Sequence, residues 1–258
     1  DLIIVCIASA FDVLSRHRAE LFPDAPVVFC LLFDPQISGI KTELNVTGVW
    51  SASPFRPTLE LILRLHPDTQ RVLLVRGSGE FDRGVLAIAK AELRDFENRV
   101  EFVDLPDVTI SELLERLAGL PKHTIVIQLS YSKDKAGVIL YGPEILSKVA
   151  SASSAPVYGV SSMVLGHGIV GGSLISIEDL GAGAAEIGAR ILIGERPLDI
   201  APQMVPNVLM FDWREMRRWG ISEKSLPPGS IVQFVVPSFW DQYKWRIVGV
   251  TSLFIVQM

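Results

Sequence analysis

Two kinds of hydrophobic pattern alternate along the chain. Residues 1–7 (DLIIVCI), 25–33 (APVVFCLLF), 46–50 (VTGVW), 71–77 (RVLLVRG), 123–130 (HTIVIQLS) and 156–161 (PVYGVS) are apolar almost throughout. Continuous apolar runs of this length suit strands buried on both faces of a parallel sheet. Between them the apolar residues recur three or four positions apart. Residues 9–22 predict a helix, 57–67 place Leu59, Ile62 and Leu63 on one helical face, and Phe81, Val85, Ile88, Ala89, Leu93 and Phe96 trace a longer amphipathic helix. VEFVDL (100–105) is strand-like again, and TISELLERLAGLP carries a capping box, Thr109 with Glu112, that stops at Gly119 and Pro121. Residues 142–154 read as a further helix. Strands alternating with helices through short loops predict an α/β fold with right-handed crossovers.

The texture changes after residue 161. VLGHGIVGGSLIS is glycine-rich, and IEDLGAGAAEIGARILIGERP predicts a helix whose Gly181, Gly183, Ala184, Ala185 and Gly188 allow close packing on a sheet. Gly194 and Pro197 end it. NVLMFDWREMRRWGI (207–221) predicts one more amphipathic helix, and SLPPGS a turn. From Ile247 to Met258 no residue is charged. That run is shorter than the roughly 20 residues of a spanning helix, so it is either a buried terminal strand or the start of a membrane helix. The chain begins inside a strand-like run, with no basic segment or cleavage site, and reads as a fragment whose beginning, signal peptide included, lies upstream.

Composition narrows the class. With 258 residues, 49% hydrophobic and 21% charged, the chain can bury one large core or two small ones. A net charge of -5 gives no reason to expect nucleic acid, whose binding needs a basic face. Cys6 and Cys30 both sit inside apolar runs and read as buried free thiols, with a disulfide as the alternative in an oxidising compartment. The NVT at Asn45 fits a glycosylation sequon by chance.

In open α/β sheets ligands sit beyond the carboxyl ends of the strands. The candidate binding residues are therefore those just after each apolar run: Ser9 and Phe11; Phe33 and Asp34; Ser78, Phe81 and Asp82; Tyr131, Ser132 and Asp134; and Ser161, Met163 and His167. Aromatic walls with a few hydroxyls and acids make a small-molecule pocket. GSGEFDRG (77–84) is too long in its glycine spacing for a dinucleotide fingerprint. The histidines His17, His66, His123 and His167 lack metal-ligand spacing, and no G-x-S-x-G, H-E-x-x-H or P-loop occurs. The expectation is a non-catalytic chain without metal or cofactor.

Several stretches together resemble one family. NVTGVW, PTLELILRLHPDTQRVLLV, LPKHTIVIQLS, APVYGVSS and GHGIVGGSLIS followed by LGAGAAEIGARILIGERP look like the solute-binding proteins of ABC transporters, of the type I periplasmic-binding fold. LFPDAPVVF, MFDWREMRRWGISEKSLPPGSIV and PSFWDQYKW look, more narrowly, like extracytoplasmic sensor regions of that fold fused to membrane histidine kinases. The resemblance implies two doubly wound parallel-sheet lobes joined by a hinge, with ligand in the cleft between them. It places one lobe at 1–53 and 162–196 and the other at 54–161 and 197–206, then a C-terminal helix and juxtamembrane segment over 207–240. The family's first strand–helix unit is missing. Residues 241–258 become the start of a transmembrane helix behind an aromatic collar of Phe239, Trp240, Tyr243 and Trp245. Lys244 and Arg246 run against the positive-inside preference there.

The implied role is a periplasmic sensing domain of an inner-membrane protein that binds a sugar, an amino acid or an aromatic acid. Any kinase module would lie beyond residue 258, and such sensors often signal as homodimers. A free solute-binding protein of a transporter is the alternative, and a nucleotide-dependent enzyme on a doubly wound fold is a third.

Overall fold

The apolar runs become two parallel sheets. The computed structural model describes residues 1–33, 45–105, 107–139 and 142–236, with main chain alone for 31–33. Asp34, the side chain of Phe33, and the collar and membrane-helix segment beyond Val236 lie outside the described residues. No helix among the described residues is long and apolar enough to cross a membrane.

The first sheet has the order β1 (Ile3–Cys6), β2 (Val27–Phe33), β3 (Val46–Ser51), β9 (Gln203–Val205), with every pairing parallel. Helix α1 (Ala8–Leu21) covers one face, through Phe11 and Leu14 against Val5, Val27, Phe29 and Val46. On the other face lies α6 (Ile177–Leu192), through Leu180, Ala184, Ile187 and Ile191. A Cβ at Gly183 would come within 3.0 Å of Val49, and one at Gly188 within 3.0 Å of Leu2. Two of the small residues therefore do set the helix-to-sheet distance, while Gly181 faces open space.

The second sheet has the order β5 (Glu101–Asp104), β4 (Arg71–Arg76), β6 (Thr124–Ser130), β7 (Val157–Tyr158), again all parallel. Helices α2 (Phe55–Leu65) and α3 (Glu80–Leu93) build one core with Leu59, Ile62, Leu74, Leu93 and Ile127. Helices α4 (Ile110–Ala118) and α5 (Gly142–Ala152) build the other with Leu113, Leu117, Ile145 and Val149. The capping box forms at α4: Thr109 Oγ1 accepts from Glu112 N at 3.3 Å, and Glu112 Oε2 from Thr109 N at 2.8 Å.

Beyond β7 the chain extends this lobe. Strand β8 (Gly171–Leu174) pairs antiparallel with β10 (Val208–Asp212), which pairs parallel with β11 (Ile231–Gln233). Gly159 N donates to Gly171 O and Val170 N to Val157 O, so β8 also lies beside β7. Three points depart from the sequence expectations. Residues 162–174 stay with the second lobe, where Leu165, Ile169 and Leu174 join its core, and the crossing to the first lobe follows Leu174. Gln203–Val205 belongs to the first sheet through Val49–Ser51, although 197–206 was expected with the second lobe. The helix expected over 207–221 is a strand followed by the short helix α7 (Trp213–Arg218). Here β-favouring Val208–Phe211 finds a strand partner in β8, and Asp212 caps α7 by accepting from Arg214 N at 2.9 Å.

The chain thus crosses between lobes three times: after β3, after β8, and between β9 and β10. Asn207 Nδ2 donates to Ala52 O at 3.0 Å and fastens two of these crossings together.

Candidate functional site

The crossings decide where a ligand could sit. Strand β3 leaves the parallel first sheet at its carboxyl end to enter the second lobe, and β8, which continues in parallel with β7 to the Ser161–Ile175 bridge, leaves the second lobe at its own carboxyl end. The carboxyl ends of both sheets therefore meet at the junction, which is the crevice where α/β folds take ligands.

On the second-lobe side a recess of about 80 Å³ is lined by Gln128, Ser130, Tyr131, Gly142, Ile145, Val160, Ser161 and Val164, at the ends of β6 and β7 and the start of α5. Gln128 Oε1, Ser130 Oγ and Tyr131 OH are buried there without a hydrogen-bond partner. Burial, with the nearby carboxylates of Asp134 and Asp82 adding to it, pushes the Tyr131 hydroxyl up to about 12, so it keeps its proton and can donate. On the junction itself Ser51 Oγ, Ser53 Oγ and Asn207 Oδ1 are likewise buried and unpartnered. Most buried polar groups in folded proteins are paired. Two sets of open ones near the carboxyl ends of the two sheets make this junction the candidate binding crevice. The recess is smaller than the roughly 300–1,000 Å³ of a whole small-molecule site, so it suits one functional group of a larger solute.

The expected residues divide sharply. Tyr131 and Ser161 line the recess, and Met163 is exposed on the short turn that follows, where Ser161 Oγ accepts from Met163 N at 3.3 Å. Ser9 lies exposed in the first turn of α1, a helix whose start no side chain caps. Phe33 ends β2. Phe11 instead packs edge-on to Phe29 with centroids 6.0 Å apart and belongs to the core under α1.

Asp82 and Asp134 turn out to be internal clamps. The Asp82 carboxylate is fully buried and accepts from Gly79 N at 3.0 Å, from Ser132 N at 3.1 Å and from Ser132 Oγ. Ser78 N donates to Lys133 O at 2.7 Å in the same contact. This joins the turn before α3 to the loop after β6, and it explains the glycines: a Cβ at Gly77 would meet Asp82 Oδ2 at 2.4 Å and one at Gly79 would meet Ser132 Oγ at 2.1 Å. The GSG stretch serves loop packing. Phe81 beside it is exposed. Asp134 accepts from Val138 N at 2.8 Å and from Ile110 N at 3.2 Å, closing its own loop onto the start of α4.

His167 is drawn away from the crevice. Because β8 runs beside β7 from Val157 onward, the loop before it must return to the amino end of the sheet, and a Cβ at Gly168 would touch Ala150 near the end of α5. Gly166 O accepts from Arg214 Nη2 at 3.1 Å at that pole. A larger groove of about 460 Å³ beside α7, lined by Trp213, Met216 and Arg217, lies at the same distal end. Gln128, Ser51, Ser53 and Asn207 went unnoticed in the sequence. The available signal is position: Ser51 and Ser53 come just after the apolar run 46–50, as the expected binding residues come after theirs. No group of three or more His, Cys, Asp or Glu that could hold a metal occurs among the described residues.

Comparison with known proteins gives this crevice a family. Several solved structures share the fold, three of which illustrate it. One is the ABC domain in complex with L-Trp from Streptococcus pneumonia (20% identity, TM-score 0.64, covering 90% of this chain and 78% of that one). Another is a conserved domain protein from Vibrio cholerae (16% identity, TM-score 0.67, covering 90% and 78%). The third is the ligand-free, open structure of a substrate binding protein with adhesive properties from Clostridium difficile (17% identity, TM-score 0.65, covering 90% and 77%). At these identities the likeness is one of fold, the type I periplasmic-binding fold. The comparison with curated proteins returned no match. Residues 2–211 match the family described as ABC transporter substrate binding protein. The chain belongs to that family, which is of a substrate-binding, non-catalytic kind.

Proposed function

We propose that the protein is the extracytoplasmic sensing region of a membrane signalling protein of the histidine-kinase type, and that a small solute held in the crevice draws its two lobes together. The observation that carries solute binding is the set of buried, unpartnered polar atoms of Gln128, Ser130 and Tyr131 on one side and Ser51 and Ser53 on the other. Each such group costs about 1–3 kcal/mol while unpaired. A solute that pairs them only when the lobes meet binds the closed state better, and only such a difference can drive closure. Substrate-binding domains of this family are extracytoplasmic. A fold relative holds L-Trp, which puts amino acids first among the candidate classes, ahead of sugars and aromatic acids.

Support for the sensor role comes from the C-terminal part. The family match ends at Phe211, while the chain runs on through α7 and β11. Strand β11 runs parallel to β10, toward the end of the second lobe opposite the crevice. A membrane tether leaving from there would hold the second lobe and let the first swing. A transporter's free solute-binding protein is favoured by the family match itself and needs no such tether.

The test is a thermal-shift series with L-tryptophan, other amino acids, sugars and aromatic acids, followed by X-ray scattering with whichever compound binds. A saturable rise in melting temperature with a smaller radius of gyration is expected, and Tyr131→Phe should weaken that binding about tenfold, the worth of one hydrogen bond of about 1.4 kcal/mol. A ligand that stabilises without compaction overturns the closure. Recovery of the full-length gene product in the soluble fraction after lysis overturns the sensor role and leaves the transporter one.

A further inference from the structure

Outside the crevice, one pair of side chains is poised for chemistry that the solute-binding role does not require. Cys6 ends β1 and Cys30 lies in β2, and the parallel register sets them directly opposite each other. Their Sγ atoms are 2.8 Å apart. Directly paired strands run about 4.8 Å apart, inside the roughly 4.4–6.8 Å between Cα atoms that a disulfide spans. A bond then requires the sulfurs to approach by less than about 1 Å. Both thiols are free in this structure.

We infer that Cys6 and Cys30 form an intrachain disulfide bolting the edge strand β1 to β2, made by exchange with a low-molecular-weight disulfide. The two thiols differ in a way that orders the steps. Cys6 is exposed, and Cys30 is only 4% exposed. The Cys6 thiolate attacks one sulfur of the donor disulfide, forming a mixed disulfide and releasing one donor thiol. Cys30 then loses its proton and attacks the Cys6 sulfur, the cross-link forms, and the second donor thiol leaves. Two protein thiols are oxidised and one donor disulfide is reduced to two thiols. Burial is the leading cause that raises the Cys30 thiol above its ordinary value, and it persists once Cys6 is in the mixed disulfide, so the second step is the slow one and speeds up as pH rises.

The cross-link would sit where it matters for the crevice. Ile7 follows Cys6 with a positive φ of 69° and donates its N–H to Cys30 O at 3.1 Å, and from there the chain turns into α1 with Ser9 in its first turn. A β-branched residue in that region is strained, and a covalent tie one residue earlier holds the turn in place.

The experiment exposes the reduced protein to oxidised glutathione and follows intact mass and alkylation. The wild type should lose the mass of two hydrogens, keep no glutathione and offer no thiol to iodoacetamide, with a higher melting temperature that dithiothreitol reverses. Cys30→Ser should instead retain glutathione on Cys6. Cys6→Ser, a second check should Cys30→Ser not fold, should leave Cys30 unmodified. Glutathione persisting on wild-type Cys6, a covalent dimer through Cys6, or two thiols still open to alkylation would each overturn the inference.

Discussion

The two lobes are built from the same strand–helix unit but hold themselves together unequally. In the second lobe both faces of the sheet are filled: α2 and α3 bury Leu59, Ile62, Val85 and Leu93 on one side, and α4 and α5 bury Leu113, Leu117, Ile145 and Leu146 on the other. Among the described residues of the first lobe, only the α6 face is packed in that way. Helix α1 rests on its sheet through half-buried Phe11 and Leu14, leaves Val13 and Leu21 exposed, and has Arg18 as its one largely covered side chain, whose guanidinium donates to Ala25 O at 3.0 Å. Burial costs that guanidinium solvation and lowers its pKa. Hydrophobic stabilisation scales with apolar area removed from water. Among the described residues, the same topology therefore gives a second lobe packed on both faces and a first lobe whose α1 face is the less buried layer.

The largest expected effect tests that contrast directly. Leu117→Ala in the second lobe should cost about 3 kcal/mol in urea unfolding, whereas Leu14→Ala under α1 should cost about 1 kcal/mol or less. Equal losses would show that α1 is as well anchored as α4. Asp82→Asn comes next. It removes charge-assisted acceptance from Ser132 and Gly79 and should cost about 2 kcal/mol, with amide exchange quickening at residues 77–79 and 131–133 and not in the first lobe. Unchanged exchange there would mean the two loops hold without their buried carboxylate.

The smallest effect is on acidification, again confined to the second lobe. His66 Nε2 lies 2.8 Å from Tyr158 OH, and burial lowers its pKa, more strongly than the nearby Asp68 raises it. The unfolded chain takes up this proton before the folded one does. The contribution is thus intact above the ordinary histidine value of about 6.5, and it is lost as pH falls from there through the lowered folded pKa. His66→Gln should flatten that part of the stability profile, and a wild-type profile flat between the two values would refute the assignment.

Part of this was legible in the sequence because it is local. A strand buried on both faces must be apolar throughout, so β2, β4 and β6 stood out. The Thr109–Glu112 cap needs only a four-residue window. Other features depended on distant partners. Gln203–Val205 is exposed at its first two positions and is a strand because Val49–Ser51 offers free main-chain groups beside it. Asp82, Asp134 and His167 had the right residue types in the right loops. Where their side chains lie was set by Ser132, Ile110 and the return of the chain to the foot of β7.

By itself the sequence determined an α/β chain of alternating strands and helices, since hydrophobic period and turn chemistry are properties of neighbouring residues. Its resemblance to solute-binding proteins supplied the two lobes. Tertiary structure alone decided where the chain changes lobes, which polar groups remain open at the junction, and that Cys6 faces Cys30. Each of these is a relation between residues far apart in the chain, fixed by strand register and by which hydrogen-bonding groups the packed fold leaves without a partner.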